Sequence, residues 1–192
     1  MSEIRVVIGM PLVESIKMET VISLLGITSN VKQSTSVIFV KGSLIHDARK
    51  SIVLKAQSVG ATHLLFMDSD MTAPNDTIDR LLAHGKDIVG VNSHTKSIPT
   101  YSTVKMINDE GKIIVENNIP KELFKVYACG TGILLVTMRV FDIIDKPWFF
   151  YDPDEKAPIS EDVWFCRQAQ RKGIEVFCDP TLKIGHVGSY EY

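Results

Sequence analysis

The chain has few cysteines, no long apolar run and almost no excess of charge, and each shortage excludes a class of protein. Three cysteines stand among 192 residues without a CxxC pair, so we predict reduced, mostly buried thiols in a cytoplasmic protein. No apolar run approaches the roughly 20 residues that cross a bilayer, which leaves only a peripheral role at a membrane. Lysine and arginine number 21 against 23 acidic residues, a formal net charge of -2, so no nucleic-acid partner is expected.

Apolar segments rich in β-branched residues alternate with segments of helical spacing over the first half of the chain. Strands are predicted at 4–10, 36–40, 62–67 and 87–91, and helices at 14–25, 44–58 and 75–84. This alternation is typical of a parallel α/β sheet. The strands are continuously apolar, which indicates that both faces of the sheet are covered.

The pattern changes after residue 92. Two strands at 99–107 and 112–117, around the turn 108–111, indicate a small antiparallel excursion. Further strands are predicted at 126–129, 132–136 and 174–178, and further helices at 139–144 and 160–172. Because there is no internal repeat and no linker, we predict a single domain over residues 1–192.

The clearest chemical signal is Asp68-Ser69-Asp70, directly after the predicted third strand. In open α/β sheets, ligands bind at the carboxyl ends of the strands. Strand alternation points Asp68 and Asp70 to the same side, where two carboxylates need a cation between them. Mg²⁺ or Mn²⁺ with a diphosphate is the natural partner. The alternative is a solvated turn in which Asp70 caps the next element.

Three further segments follow this pair in a fixed order. They are Gly130-Thr131-Gly132 before an apolar strand, Glu161-Asp162 at the start of a helix, and a late histidine, His186. Together with the Asp-x-Asp pair, this order resembles the inverting glycosyltransferases of the family-2 type, which have the GT-A fold. The resemblance covers nearly the whole chain, from Ile4 to about Gly188.

The resemblance implies a donor, a metal and a base. The donor would be a nucleotide-diphosphate sugar, with UDP as the carrier ahead of GDP, bound by the half at about 1–92. The half at about 93–192 would hold the acceptor, whether saccharide, lipid-linked or protein, and catalyse transfer to its hydroxyl with inversion. Asp68, Asp70 and His186 would hold the Mn²⁺ or Mg²⁺ ion. Asp162 would be the general base, with Glu161 beside it.

Each of these roles has a structural alternative. Acidic residues after Ser160 stabilise a helix N-terminus without any catalysis. His186 also fits an ordinary surface histidine. Ser69 and Gly130 are assigned to the donor site with the motifs that contain them.

Other donor contacts are predicted from residue chemistry. Backbone groups at Pro11 and Val13, after the first strand, can contact the edge of the nucleotide base. The forked guanidinium of Arg49 matches the geometry of phosphate oxygens. The alternative is that Arg49 is a solvated charge on a helix. The chain departs from the family pattern after the second strand, where Lys41-Gly42-Ser43 replaces the usual acidic cluster.

Two rival functions remain open at this point. Asp68-x-Asp70-x-Thr72 also fits the motif of haloacid-dehalogenase-type phosphatases, in which Asp68 would attack phosphate. That motif usually ends the first strand, whereas here it follows the predicted third. The second rival is a non-catalytic domain that kept the fold and binds a nucleotide sugar.

Overall fold

The computed structural model describes residues 3–153 and 158–188. The strands are β1 (Arg5–Leu12), β2 (Ser34–Lys41), β3 (His63–Met67), β4 (Met71–Thr72), β5 (Ile88–Val91), β6 (Lys105–Ile107), β7 (Ile113–Val115), β8 (Phe124–Val126), β9 (Ile133–Thr137), β10 (Val176–Asp179) and β11 (Gly185–His186). The helices are α1 (Met18–Asn30), α2 (Ile45–Ser58), α3 (Thr77–Ala83), α4 (Val140–Ile143) and α5 (Glu161–Arg171).

A seven-stranded sheet forms the centre of the described residues, in the order β2-β1-β3-β9-β5-β10-β8. β1 is parallel to both β2 and β3, and β5 is parallel to β10. β9 runs antiparallel between β3 and β5, and β8 runs antiparallel to β10. Five strands therefore share one direction, which confirms the predicted α/β class with a mostly parallel central sheet. The β6–β7 ribbon is the predicted antiparallel excursion, but it is shorter than predicted, since the strand expected from residue 99 begins only at Lys105.

Both faces of this sheet are buried, as the continuous apolar strands predict. In β3, Leu64 and Phe66 pack on the face covered by α2 and α5, whereas Leu65 and Met67 pack on the face covered by α1 and α3. Because successive strand residues point to opposite faces, one run of apolar residues fills both layers of the core. This burial holds the end of β3, and thus residue 68, in a fixed position.

Aromatic rings fix the start of α5 relative to the end of β3. The ring of Phe149 lies over Phe165 of α5, with centroids 5.0 Å apart, and meets the edge of Phe66 in β3 at 5.4 Å. All three rings are buried. Since Phe66 stands two residues before Asp68, this cluster ties the two motif-bearing elements together.

Several predicted boundaries are wrong near the N-terminus, and α1 ends at Asn30 instead of residue 25. β1 continues to Leu12, so Pro11 lies inside the strand rather than after it, and α1 begins at Met18 instead of residue 14. β3 pairs with β1 only as far as Gly9, and beyond it β1 has β2 alone as a neighbour. A proline is tolerated there because β3 does not reach this position, so no hydrogen bond to β3 is lost with the missing N–H.

The burial of the three cysteines agrees with the sequence prediction. Cys129, Cys166 and Cys178 are buried and form no disulfide. A hydrogen bond with Cys166 and burial raise the pKa of Cys129, and burial raises the pKa of Cys178 to about 12, which disfavours the thiolate form of Cys129 and Cys178. Within the described residues, no helix has both the length and the apolar character needed to cross a membrane.

Candidate active site

Strand β3 brings Asp68 and Asp70 to the carboxyl edge of the sheet. The buried strand ends at Met67, and the chain turns at once. Met71 N–H donates to the Asp68 carbonyl at 3.1 Å, and Asp68 N–H donates to the Gly132 carbonyl at 3.0 Å. Both carboxylates stay partly open to solvent. They therefore lie at the edge where ligands bind in open α/β sheets.

The two-residue strands β4 and β11 bring His186 next to Asp70. Met71 pairs with His186 across this ribbon, and Val187 N–H donates to the Asp70 carbonyl at 2.7 Å. His186 Nε2 lies 3.6 Å from Asp70 Oδ1, and its Nδ1 lies 2.7 Å from the His94 carbonyl oxygen. Because a carbonyl only accepts, Nδ1 carries a proton, and Nε2 is the ring nitrogen that faces Asp70. That is the arrangement of a metal-ligating histidine.

A cationic side chain lies on the other oxygen of Asp70. Lys96 Nζ is 2.5 Å from Asp70 Oδ2. Lys96 belongs to the segment between β5 and β6, which is closed by a 2.8 Å bond from Thr95 N–H to the Tyr101 carbonyl. The sequence analysis missed Lys96, since no motif or periodicity marks this segment.

Arg49 connects the end of β3 with the start of α5. Its buried guanidinium donates from Nη2 to Asp68 Oδ1 at 3.1 Å and from Nη1 to Glu161. Burial alone would lower the pKa of Arg49, but the carboxylates of Asp68, Glu161 and Asp162 outweigh it and raise the pKa above its ordinary value. The fork that was predicted to meet a diphosphate is thus occupied by two carboxylates of the protein.

Asp162 stands in the first turn of α5 behind the N-cap residue Ser160. Its Oδ1 accepts hydrogen bonds from Val163 N–H at 2.7 Å and from the Ser160 hydroxyl. Both bonds use the same oxygen, so Oδ2 is the atom that can take a proton. Glu161 differs, because its carboxylate is held by Arg49.

The two residues at the end of β1 that were predicted to contact the nucleotide base differ in their exposure. Pro11 is buried within the strand, whereas Val13, just past it, is exposed. The Ser69 carbonyl accepts a 3.0 Å hydrogen bond from Lys17 N–H, which ties the segment after β1 to the turn after β3. Val13 and Ser69 therefore lie on segments that are joined to each other.

The glycines before β9 pack closely against the site. A Cβ on Gly130 would lie 3.3 Å from Thr103 Cβ, and a Cβ on Gly132 would lie 3.5 Å from Asp68 Oδ2. The Asp68 contact is of ordinary van der Waals length, and the nearest neighbour of Gly132 is the Met71 side chain at 3.3 Å, whereas Gly130 packs on the segment before β6.

The three predicted metal ligands are not brought together as a trio. Asp70 and His186 face each other, but Asp68 faces Arg49. Across residues 3–153 and 158–188, no group of three or more His, Cys, Asp or Glu side chains is arranged to hold a metal ion. Of the three predicted ligands, only Asp70 and His186 lie close enough to each other to share a cation.

A cavity of about 490 Å³ opens beside the start of α5. Ile114 and Val115 of the β6–β7 ribbon form one wall, and Ile159, Ser160 and Val163 form the other. Ser160 lines this cavity, and its hydroxyl donates to Asp162, the candidate base.

The seven-stranded, mostly parallel sheet with helices on both faces defines an α/β domain, and Asp68 and Asp70 lie at the end of its strand β3. Neither a protein-family model nor a curated protein matches the chain. Among solved structures, A197 from STIV is similar with a TM-score of 0.70 and 17% identity, over 97% of this chain and 87% of that chain. Residues 1–349 of S. aureus TarS, solved in complex with UDP-GlcNAc, are similar with a TM-score of 0.54 and 13% identity, over 91% of this chain and 55% of that chain. At these identities the similarity shows the fold.

Proposed function

We propose that the protein transfers a sugar from a nucleotide-diphosphate sugar, with UDP as the carrier, to an acceptor hydroxyl. The observation that carries this proposal is the Arg49 bridge. It joins Asp68, at the edge where α/β sheets bind ligands, to Glu161, the neighbour of the candidate base. A similar fold binds UDP-GlcNAc in TarS, which supports a nucleotide sugar as donor.

Asp70 and His186 are the residues that would hold a divalent cation, with Mn²⁺ preferred. When bound, such an ion supplies a Lewis acid for the leaving diphosphate. His186 contributes Nε2, since its Nδ1 proton is fixed on the His94 carbonyl. In this proposal Asp68 does not bind the ion, because its carboxylate is neutralised by Arg49.

Asp162 is the proposed general base. Its Oδ2 takes the proton of the acceptor hydroxyl while the acceptor oxygen bonds to the anomeric carbon of the donor. The bond from that carbon to the diphosphate oxygen breaks, and its electron pair leaves with the nucleoside diphosphate. A single displacement of this kind inverts the anomeric centre. We assign the acceptor to the cavity lined by Ser160, because the Ser160 hydroxyl donates to Asp162.

Calorimetric titration of UDP and GDP, with Mn²⁺ and after chelation, tests the proposal. We expect UDP to bind with Mn²⁺ and binding to be lost in Asp70→Ala. The matched control is Asp109→Ala, which removes an exposed carboxylate from the turn before β7 and should bind as the wild type does.

Failure of both nucleotides to bind in the presence of Mn²⁺ would overturn the proposed donor. Binding that survives chelation would keep the donor and remove the metal from the proposal. Hydrolysis of p-nitrophenyl phosphate that is abolished in Asp68→Asn would favour the phosphatase instead.

A further inference from the structure

Lys96 and His186 divide the two oxygens of Asp70 between them. Lys96 Nζ lies on Oδ2 at 2.5 Å, and His186 Nε2 lies 3.6 Å from Oδ1. The segment that carries Lys96 is attached to the same ribbon, because the His94 carbonyl accepts the Nδ1 proton of His186. This hydrogen bond anchors the chain beside the site two residues before Lys96.

The two partners of Asp70 differ in what they can do. A lysine ammonium has three donors and no lone pair, so it neutralises a carboxylate but cannot share in holding a cation. A divalent cation on Asp70 repels the ammonium, because like charges at this range oppose each other. The Lys96 side chain is 41% exposed, so it is free to move when that happens. A compact ammonium is also a good partner for a phosphate oxygen.

We propose that Lys96 is a phosphate-binding residue. It pairs with Asp70 while no divalent cation is bound, and it moves to the diphosphate when a cation binds. The proposal rests on the proposed function of the site. It adds a residue that exchanges the Asp70 carboxylate for the diphosphate as its partner. Lys96 then competes with the cation for Asp70 and assists the same cation in binding the diphosphate.

This double role predicts two opposite effects of one substitution. In Lys96→Met, which removes the charge and retains much of the stem, Mn²⁺ alone should bind about threefold more tightly, since a competing ion pair is lost. Pyrophosphate in the presence of saturating Mn²⁺ should bind about tenfold more weakly, since a charged hydrogen bond is lost. UDP with Mn²⁺ should follow pyrophosphate. Titration calorimetry measures all three ligands, and manganese paramagnetic resonance checks the first.

Two further variants serve as controls. Lys112→Met removes an exposed lysine that pairs with Glu110 in the turn before β7. It should change neither the affinity for Mn²⁺ nor the affinity for pyrophosphate. Lys96→Arg keeps the charge and should recover most of the pyrophosphate affinity. Because Lys96 is exposed, we expect the thermal melts of these variants to match that of the wild type.

The outcomes separate the role of Lys96 from the proposed donor. Unchanged pyrophosphate binding in Lys96→Met, or a parallel loss of Mn²⁺ and pyrophosphate binding, would overturn the role of Lys96. If pyrophosphate binding depends on Lys96 but UDP does not bind the wild type, Lys96 keeps its role and the proposed donor fails. If the wild type binds none of the three ligands, both proposals fail.

Discussion

At the scale of single residues, Arg49 has the most consequential position in the molecule. It is a buried cation that serves two carboxylates from different elements, one at the end of β3 and one in α5. Breaking such a pair by removing one partner leaves charges in a poorly solvated place, which is strongly destabilising. Arg49 therefore contributes to stability as well as to the geometry of the site.

Arg49→Met should lower the free energy of unfolding by about 3 kcal/mol, because Asp68 and Glu161 lose their shared cation. Urea denaturation measures the effect. The matched control is Arg139→Met, which removes the exposed partner of Asp87 and should cost less than about 1 kcal/mol. Equal losses in the two variants would contradict the buried bridge.

A second residue-scale prediction concerns Asp162. Asp162→Asn should reduce sugar transfer by about 10²-fold or more, because the amide cannot take the acceptor proton. Binding of UDP with Mn²⁺ should stay unchanged, since the residue does not contact the donor in the proposed mechanism. Product analysis and calorimetry give the two readouts, and full turnover in the variant would exclude Asp162 as the base.

At the scale of elements, the β4–β11 ribbon positions the candidate metal ligands. It is only two residues long on each side, yet it joins the turn after β3 to the C-terminal segment. A Cβ on Gly185 would lie 2.5 Å from Thr72 Oγ1, closer than real Cβ atoms approach an oxygen. Glycine at 185 therefore allows the two short strands to pair and His186 to reach Asp70.

Gly185→Ala should weaken Mn²⁺ binding several-fold by moving His186 away from Asp70. The second substitution Thr72→Ala removes the conflicting atom and should restore affinity. Gly188→Ala is the matched control, since a Cβ there meets its nearest neighbour only at 3.9 Å. Manganese titration compares the variants, and an unaffected Gly185→Ala would show that the ribbon does not position the ligand.

At the scale of the whole molecule, several titratable groups make stability depend on pH in the same direction. Burial lowers the pKa of His63, more than the nearby charge of Asp87 raises it. Burial opposes ionisation of Asp179, but hydrogen bonds from Thr181 and His84 lower its pKa below the ordinary value. In each case the unfolded chain binds protons more readily than the folded chain, so stability is lost as pH falls.

Urea denaturation should show a loss of stability below about pH 6.5 from His63 and a further loss below about pH 4 from Asp179. His63→Gln should flatten the upper part of the curve, and Asp179→Asn the lower part. Asp109→Asn, at an exposed turn, should leave the curve unchanged. Stability that rises between pH 7.5 and pH 5 would contradict the sign for His63.

The sequence by itself determined the α/β class, the approximate elements of the first half and the place of Asp68 and Asp70 after a buried strand. These features follow from local patterns, because apolar runs, helical spacing and turn residues act over a few positions. The same patterns do not determine strand direction. β9 runs antiparallel between β3 and β5, yet its residues Ile133–Thr137 read like those of a parallel strand, since both kinds are buried on two faces here.

Only the tertiary structure decided which charges meet. Arg49 and Glu161 are 112 positions apart, and Lys96 and Asp70 are 26 apart on different segments. The pairing of Met71–Thr72 with Gly185–His186 depends on how the C-terminal segment returns to the sheet edge. Such contacts arise from packing between distant elements. No local spacing encodes them, which is why sequence analysis assigned the Arg49 fork to a diphosphate and left Lys96 without a role.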